Sequence, residues 1–178
     1  MKRSFKALLL GGLIFTFAIT GTNIHAKSDS LMNISGTWEF KSAEYLEKAS
    51  PSQSHQVKYA INSVKDLYAH SRCFQETVIE AHISNGVAMM RTLVTSLVGE
   101  YYLLPQPSNK KKSIMFFGNF ESIGKDSPFH GIKYNAPNIQ YSVEVIDENT
   151  IGITLERRCH EGGAYIDSAI RCIMKKND

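Results

Sequence analysis

Residues 139–155 alternate apolar and polar side chains with a period of two. Ile139, Tyr141, Val143 and Val145 are spaced by Gln140, Ser142 and Glu144. Past Asp147-Glu148-Asn149, Ile151, Ile153 and Leu155 alternate with Gly152, Thr154 and Glu156. That pattern suits a strand with one wet face and one buried face. The same period places Trp38 and Phe40 together on a first strand at 37–41. Further strands follow at 73–83, 87–95, 98–104, 113–120 and 166–174. Ser84-Asn85-Gly86 supplies a tight hairpin turn between two of them. Pro105 and Pro107 stop another.

One segment departs from this period. Ser50-Pro51-Ser52-Gln53 has the form of a helix start, with an N-cap Ser, a Pro at the first helical position and a Gln at the third. Val57, Ala60, Ile61, Val64, Leu67 and Tyr68 then recur at three- and four-residue steps. The spacing predicts an amphipathic helix over 51–69, preceded by a helical turn at 43–48. The expected fold is mainly β. It is an eight-stranded up-and-down antiparallel barrel, with the amphipathic helix inserted between the first and second strands. The tight turns fall at one end of this barrel. The helix, the 121–137 loop and the Gly162-Gly163 loop fall at the other.

Residues 1–26 read as a signal peptide. Lys2, Arg3 and Lys6 precede an apolar run, and Ile24-His25-Ala26 ends it. The run is too short to span a bilayer comfortably. Residues 27–178 form a single domain, predicted to be secreted or periplasmic. No integral membrane span remains after leader cleavage. The chain has 20 Lys+Arg and 17 Asp+Glu. The leader holds three of the basic residues and no acidic one, so the mature chain carries 17 of each and no net charge. A nucleic-acid partner is therefore not expected, since phosphate binding needs a basic surface. Lys110-Lys111-Lys112, the one basic run, lies in a hairpin loop.

An exported chain can form disulfides. In the eight-strand order, Cys73 and Cys159 fall at the same end, while Cys172 lies toward the other. A bridge between Cys73 and Cys159 is expected, leaving Cys172 a free buried thiol. The alternative is three reduced core cysteines.

Gly36-Thr37-Trp38 on the first strand resembles the Gly-x-Trp signature of the calycin superfamily, the lipocalins and fatty-acid-binding proteins. A helical segment straight after that strand is more similar to the fatty-acid-binding branch. The resemblance implies a barrel that holds a small apolar, possibly lipid-like, molecule. It also implies a basic residue packed across the Trp at the barrel base, with Arg171 the candidate partner of Trp38. On parity alone, Arg171 as a surface residue is an equal reading.

Candidate ligand contacts follow from the strand pattern. Arg157 continues the inward parity of Leu155, where a ligand carboxylate would neutralise it. The alternative has the strand ended there, with Arg157 turned to water or Glu161. Met89, Phe116 and Tyr141 are candidate pocket-lining residues. Leu67 and Tyr68, on the helix face, either gate a cavity or pack as ordinary core. No catalytic residues are predicted: Ser, His and Asp are present without an organising motif. His55, His70, His82, His130 and His160 show no metal-ligand spacing, and no cofactor is expected. The leading expectation is an exported carrier of a small apolar ligand. The alternative is an exported interaction protein, such as an enzyme inhibitor, with a filled barrel and working surface loops.

Overall fold

The strand that holds Trp38, β1 (Gly36–Lys48), pairs along both of its edges. A bulge between Phe40 and Ser42 resets its parity, so Trp38 and then Ala43 and Tyr45 are buried on one face. The expected helical turn at 43–48 is corrected: that segment is extended and belongs to β1, with Ala43 and Tyr45 alternating inward.

The computed structural model describes residues 34–69, 73–100, 113–116, 120–134, 139, 141–161 and 163–177. All fall within one compact unit, Met32–Asp178. The leader at 1–26 and the Lys110-Lys111-Lys112 run lie outside the described residues. After β1 come β2 (Gln56–Ile61), α1 (Val64–Ala69), β3 (Val78–Ser84), β4 (Val87–Thr92) and β5 (Ser96–Glu100). Then follow β6 (Ser113–Phe116), β7 (Phe120–Ser122), β8 (Lys133–Tyr134), β9 (Tyr141–Asp147), β10 (Thr150–Glu161) and β11 (Ala164–Asn177). The protein is mainly β, as expected. Every described pairing is antiparallel, within a single sheet of eleven strands.

Neighbours along the sheet run β6, β9, β10, β11, β1, β3, β4, β5, β7 and β8, and β2 pairs with β1 beside β3. The chain's last strand therefore returns to its first, from Thr37 opposite Asn177 to Lys48 opposite Asp167. The described ladder is open, with β6 at one end and β8 at the other. The strand expected at 113–120 is divided. β6 pairs with β9 and β7 pairs with β5, at opposite ends of the order. The rings of Phe120 on β7 and Tyr141 on β9 nonetheless meet edge-to-face, with centroids 5.8 Å apart.

The helix predicted over 51–69 is corrected to α1 alone. Gln53 N–H donates to the Ser50 carbonyl at 3.0 Å, so Ser50-Pro51-Ser52-Gln53 is a turn. Pro at the second position suits a turn as well as it suits a helix start. β2 follows, opposite Ala43–Glu47, and the Tyr59 ring stacks on Tyr45 with centroids 4.9 Å apart. The working cap is Ser63, whose Oγ accepts from Asp66 N–H at 3.0 Å. Asn85-Gly86 makes the expected tight turn between β3 and β4, with Ser84 opposite Val87.

The buried apolar residues form one hydrophobic core against the sheet. Its largest fully buried side chains include Trp38, Leu67, Phe74, Phe120, Tyr141, Ile170 and Met174. Among the described residues, no helix is long and apolar enough to cross a membrane.

Candidate functional site

β10 and β11 outrun their neighbours. Among the described residues, β9 pairs with β10 as far as Leu155, and β1 pairs with β11 as far as Asp167. Beyond those points, residues 159–161 and 164–166 pair with one another at the hairpin tip. Its inward side is clamped. Cys159 is bonded to Cys73, with Cα atoms 5.8 Å apart, and Cys172 is free and buried, both as expected. Arg157 Nη2 donates to Glu76 Oε2 at 3.2 Å, and both side chains are mostly shielded. Tyr141 Oη donates to the Glu76 carbonyl at 2.6 Å. Three contacts thus fasten the segment 73–76 to β9 and β10.

The outward side of the same hairpin is a stripe of aromatic and charged side chains. At the tip His160 faces Tyr165 across the ladder, with ring centroids 5.0 Å apart. Tyr165 is 73% exposed, the most exposed of the large hydrophobic residues described. Two register positions back from the tip, Arg158 Nε donates to Asp167 Oδ1 at 3.0 Å. Lys48 on β1 faces Asp167 from the other side. His55, from the turn before β2, reaches the same area, with Nδ1 3.9 Å from Glu156 Oε1. A pocket of about 280 Å³ lies here, lined by Lys48, His55, Glu156, Arg157, Arg158, Asp167 and Ser168.

His55 Nε2 is buried with no hydrogen-bond partner. Burial, and then the nearby Lys48 charge, hold the imidazole below its ordinary pKa, against the pull of Glu156 and Asp167. The ring is therefore neutral at pH 7. Its Nδ1 lies toward the Glu156 carboxylate, the ring lines the pocket, and Nε2 is covered. Sequence spacing gave no warning of this, because His55, Glu156 and Asp167 come from three separate segments.

No family model matches the chain, and no similar protein emerges among curated proteins or solved structures.

The other expected site residues are dispersed. Trp38 is core, its Nε1 donating to the Ile34 carbonyl at 2.9 Å. The cation over its ring is Lys176, with Nζ 5.7 Å from the centroid, and not Arg171. Gly36 makes room for it. Its φ is +146°, and a Cβ there would lie 2.8 Å from Lys176 Cε. Arg171 sits on the outward face of β11 and bridges Glu44 on β1 to Glu144 on β9. It lies across Gly152, where a Cβ would come within 3.1 Å of Arg171 Nε. The strand alternation decides this, since Ile170 and Cys172 take the inward positions.

Leu67 is fully buried, whereas Tyr68 is half exposed and donates from Oη to the Leu93 carbonyl at 3.0 Å. Met89 points outward at 47% exposure, because its neighbours Ala88 and Met90 take the buried positions of β4. Phe116 is opposite Tyr141 in the register, and its side chain lies outside the described residues. Among the candidate ligand contacts whose side chains are described, Arg157 and Tyr141 converge, on Glu76. Among the described residues, no group of three or more His, Cys, Asp or Glu is placed to hold a metal ion.

Proposed function

We propose that this is an exported protein-interaction module that works through the outward face of the β10–β11 hairpin. The observation that carries this reading is Tyr165. It is a large aromatic left exposed at the tip of a hairpin whose inward side is covalently clamped. Tyrosines are favoured as binding hot spots. A tip already held rigid has less conformational entropy to lose when a partner closes on it. His160 braces the ring, and the Arg158–Asp167 pair borders it with charge.

The packed interior supports this reading over a lipid carrier. The positions a ligand would occupy are taken by Trp38, Phe74, Phe120, Tyr141 and Met174. Arg157, the candidate anchor for a ligand carboxylate, has the Glu76 carboxylate instead. We further propose that the sheet closes as an eight-stranded barrel of calycin type. Three residues of sequence separate Phe116 from Phe120, while their strands pair with β9 and β5. One strand that changes partner part-way would join the two ends of the ladder, in keeping with the Phe120–Tyr141 ring contact. An eight-stranded barrel is narrow enough for its own side chains to fill. Export is supported by the leader and by a disulfide that needs an oxidising compartment.

The test compares mature protein with its Tyr165→Ser variant, both immobilised in the medium the protein is exported to. Partners retained by the first and lost by the second are expected, with affinity lowered about tenfold or more, the scale of a hot-spot aromatic. Identical retention by the two proteins would overturn the reading.

A further inference from the structure

We infer that the pocket beside the hairpin receives a carboxylate, that of an Asp or Glu side chain on the partner protein, held between Lys48 and His55. For the source of the carboxylate, the inference rests on the interaction reading above.

Several groups in the pocket are already matched. Asp167 accepts from Arg158 at 3.0 Å. Arg157 has Glu76 at 3.2 Å. Lys48 lines the pocket and has no ion-pair partner among the described residues, and His55 Nε2 is buried without a hydrogen bond. Glu156 faces the opposite nitrogen of the ring, at a distance too long for a hydrogen bond. The unmatched groups of the pocket lining are thus a cation, a ring nitrogen able to take a proton, and the Glu156 carboxylate on the other side of that ring.

A carboxylate entering there would accept from Lys48 Nζ and, once a turn of the His55 ring uncovers it, from a protonated Nε2. The new charge on the imidazole would sit between the incoming carboxylate and Glu156. Docking would therefore take up one proton. The charged groups facing His55 are Lys48 from β1, Glu156, Arg157 and Arg158 from β10, and Asp167 from β11. Of these, Lys48 opposes protonation of the empty site, while Glu156 and Asp167 favour it. An anion on Lys48 cancels the opposition. Binding should tighten as pH falls toward the His55 pKa, by at most about tenfold per pH unit for one linked proton. A cationic side chain fits less well, because Lys48 would repel it and Asp167 is already engaged.

The probe is acetate, compared with chloride at equal ionic strength, and the readout is the NMR titration of the His55 ring in the mature protein. Acetate should raise the His55 pKa by about half a unit or more. In Lys48→Met the pKa in chloride should rise, since a repelling charge is gone, and the acetate effect should disappear. An acetate effect absent from the parent, or equal in the variant, would overturn the inference. Tyr165→Ser should leave the acetate response unchanged. If that response fails while Tyr165-dependent partner retention holds, the pocket assignment falls alone. If the response holds and retention does not depend on Tyr165, the interaction reading falls and the pocket is a small-anion site.

Discussion

Cys73 and Cys159, 86 residues apart in sequence, are joined with their Cα atoms 5.8 Å apart, and the bond fixes the hairpin tip to the segment leaving α1. A loop of that length makes the bond worth about 4–5 kcal/mol in the chain-entropy account. Replacing both cysteines by Ser should lower urea-denaturation stability by about 2–5 kcal/mol. Cys172 should stay unreactive to thiol reagents in the native protein and react on unfolding, because burial pushes its thiol pKa up. Fast native labelling of one thiol would contradict this.

Gly152 is the floor over which Arg171 reaches Glu144. Gly152→Val should cost about 1–3 kcal/mol, the scale of overpacking. The same substitution should cost less in an Arg171→Ala background, since the crowding atoms are then gone. Equal costs in the two backgrounds would show that Arg171 does not occupy that space.

Trp38 is the chain's single tryptophan, so its emission reports one site. It should be blue-shifted and shielded from iodide. Lys176→Gln should alter the emission and cost about 0.5–1 kcal/mol. Arg171→Gln should leave the emission unchanged. The reverse pattern would restore Arg171 as the Trp partner.

His55 gives the fold a pH dependence of known sign. Its folded-state pKa lies below the ordinary 6.5. In the window between the two values the unfolded chain binds more protons. The contribution is complete above about pH 6.5 and is lost as pH falls through the folded pKa. Stability by urea denaturation should thus drop below pH 6.5, and His55→Gln should flatten part of that slope. An unchanged slope would place His55 in water.

The sequence made the strands legible where one face is wet and the other buried. Ile151, Ile153 and Leu155 are buried as their alternation predicts, and the Asn85-Gly86 turn specifies its hairpin locally. The strand order that follows was enough to pair Cys73 with Cys159. Residues 43–61 were misread for a physical reason. The register of β1 against β2 shifts between Tyr45 and Leu46, and β2 is exposed at every position except Ile61, so no two-residue burial period marks it as a strand. The resemblance implies Arg171 as the partner of Trp38, although the parity of Arg171 points outward. Lys176 lies directly opposite Trp38 in the register, a pairing that depends on where β1 and β11 meet. The pocket at His55 was illegible because three distant segments build it. Tyr165 was illegible because exposure at a hairpin tip depends on where the neighbouring strands stop.

On the reading proposed above, the protein's own side chains take the interior, which leaves function to the outside. Native mass spectrometry of the purified protein tests this. The expected result is the mass of the polypeptide alone, less two hydrogens for the Cys73–Cys159 bond, with no small molecule bound at unit stoichiometry. A lipid-sized adduct retained one-to-one would contradict it and return the carrier reading to first place.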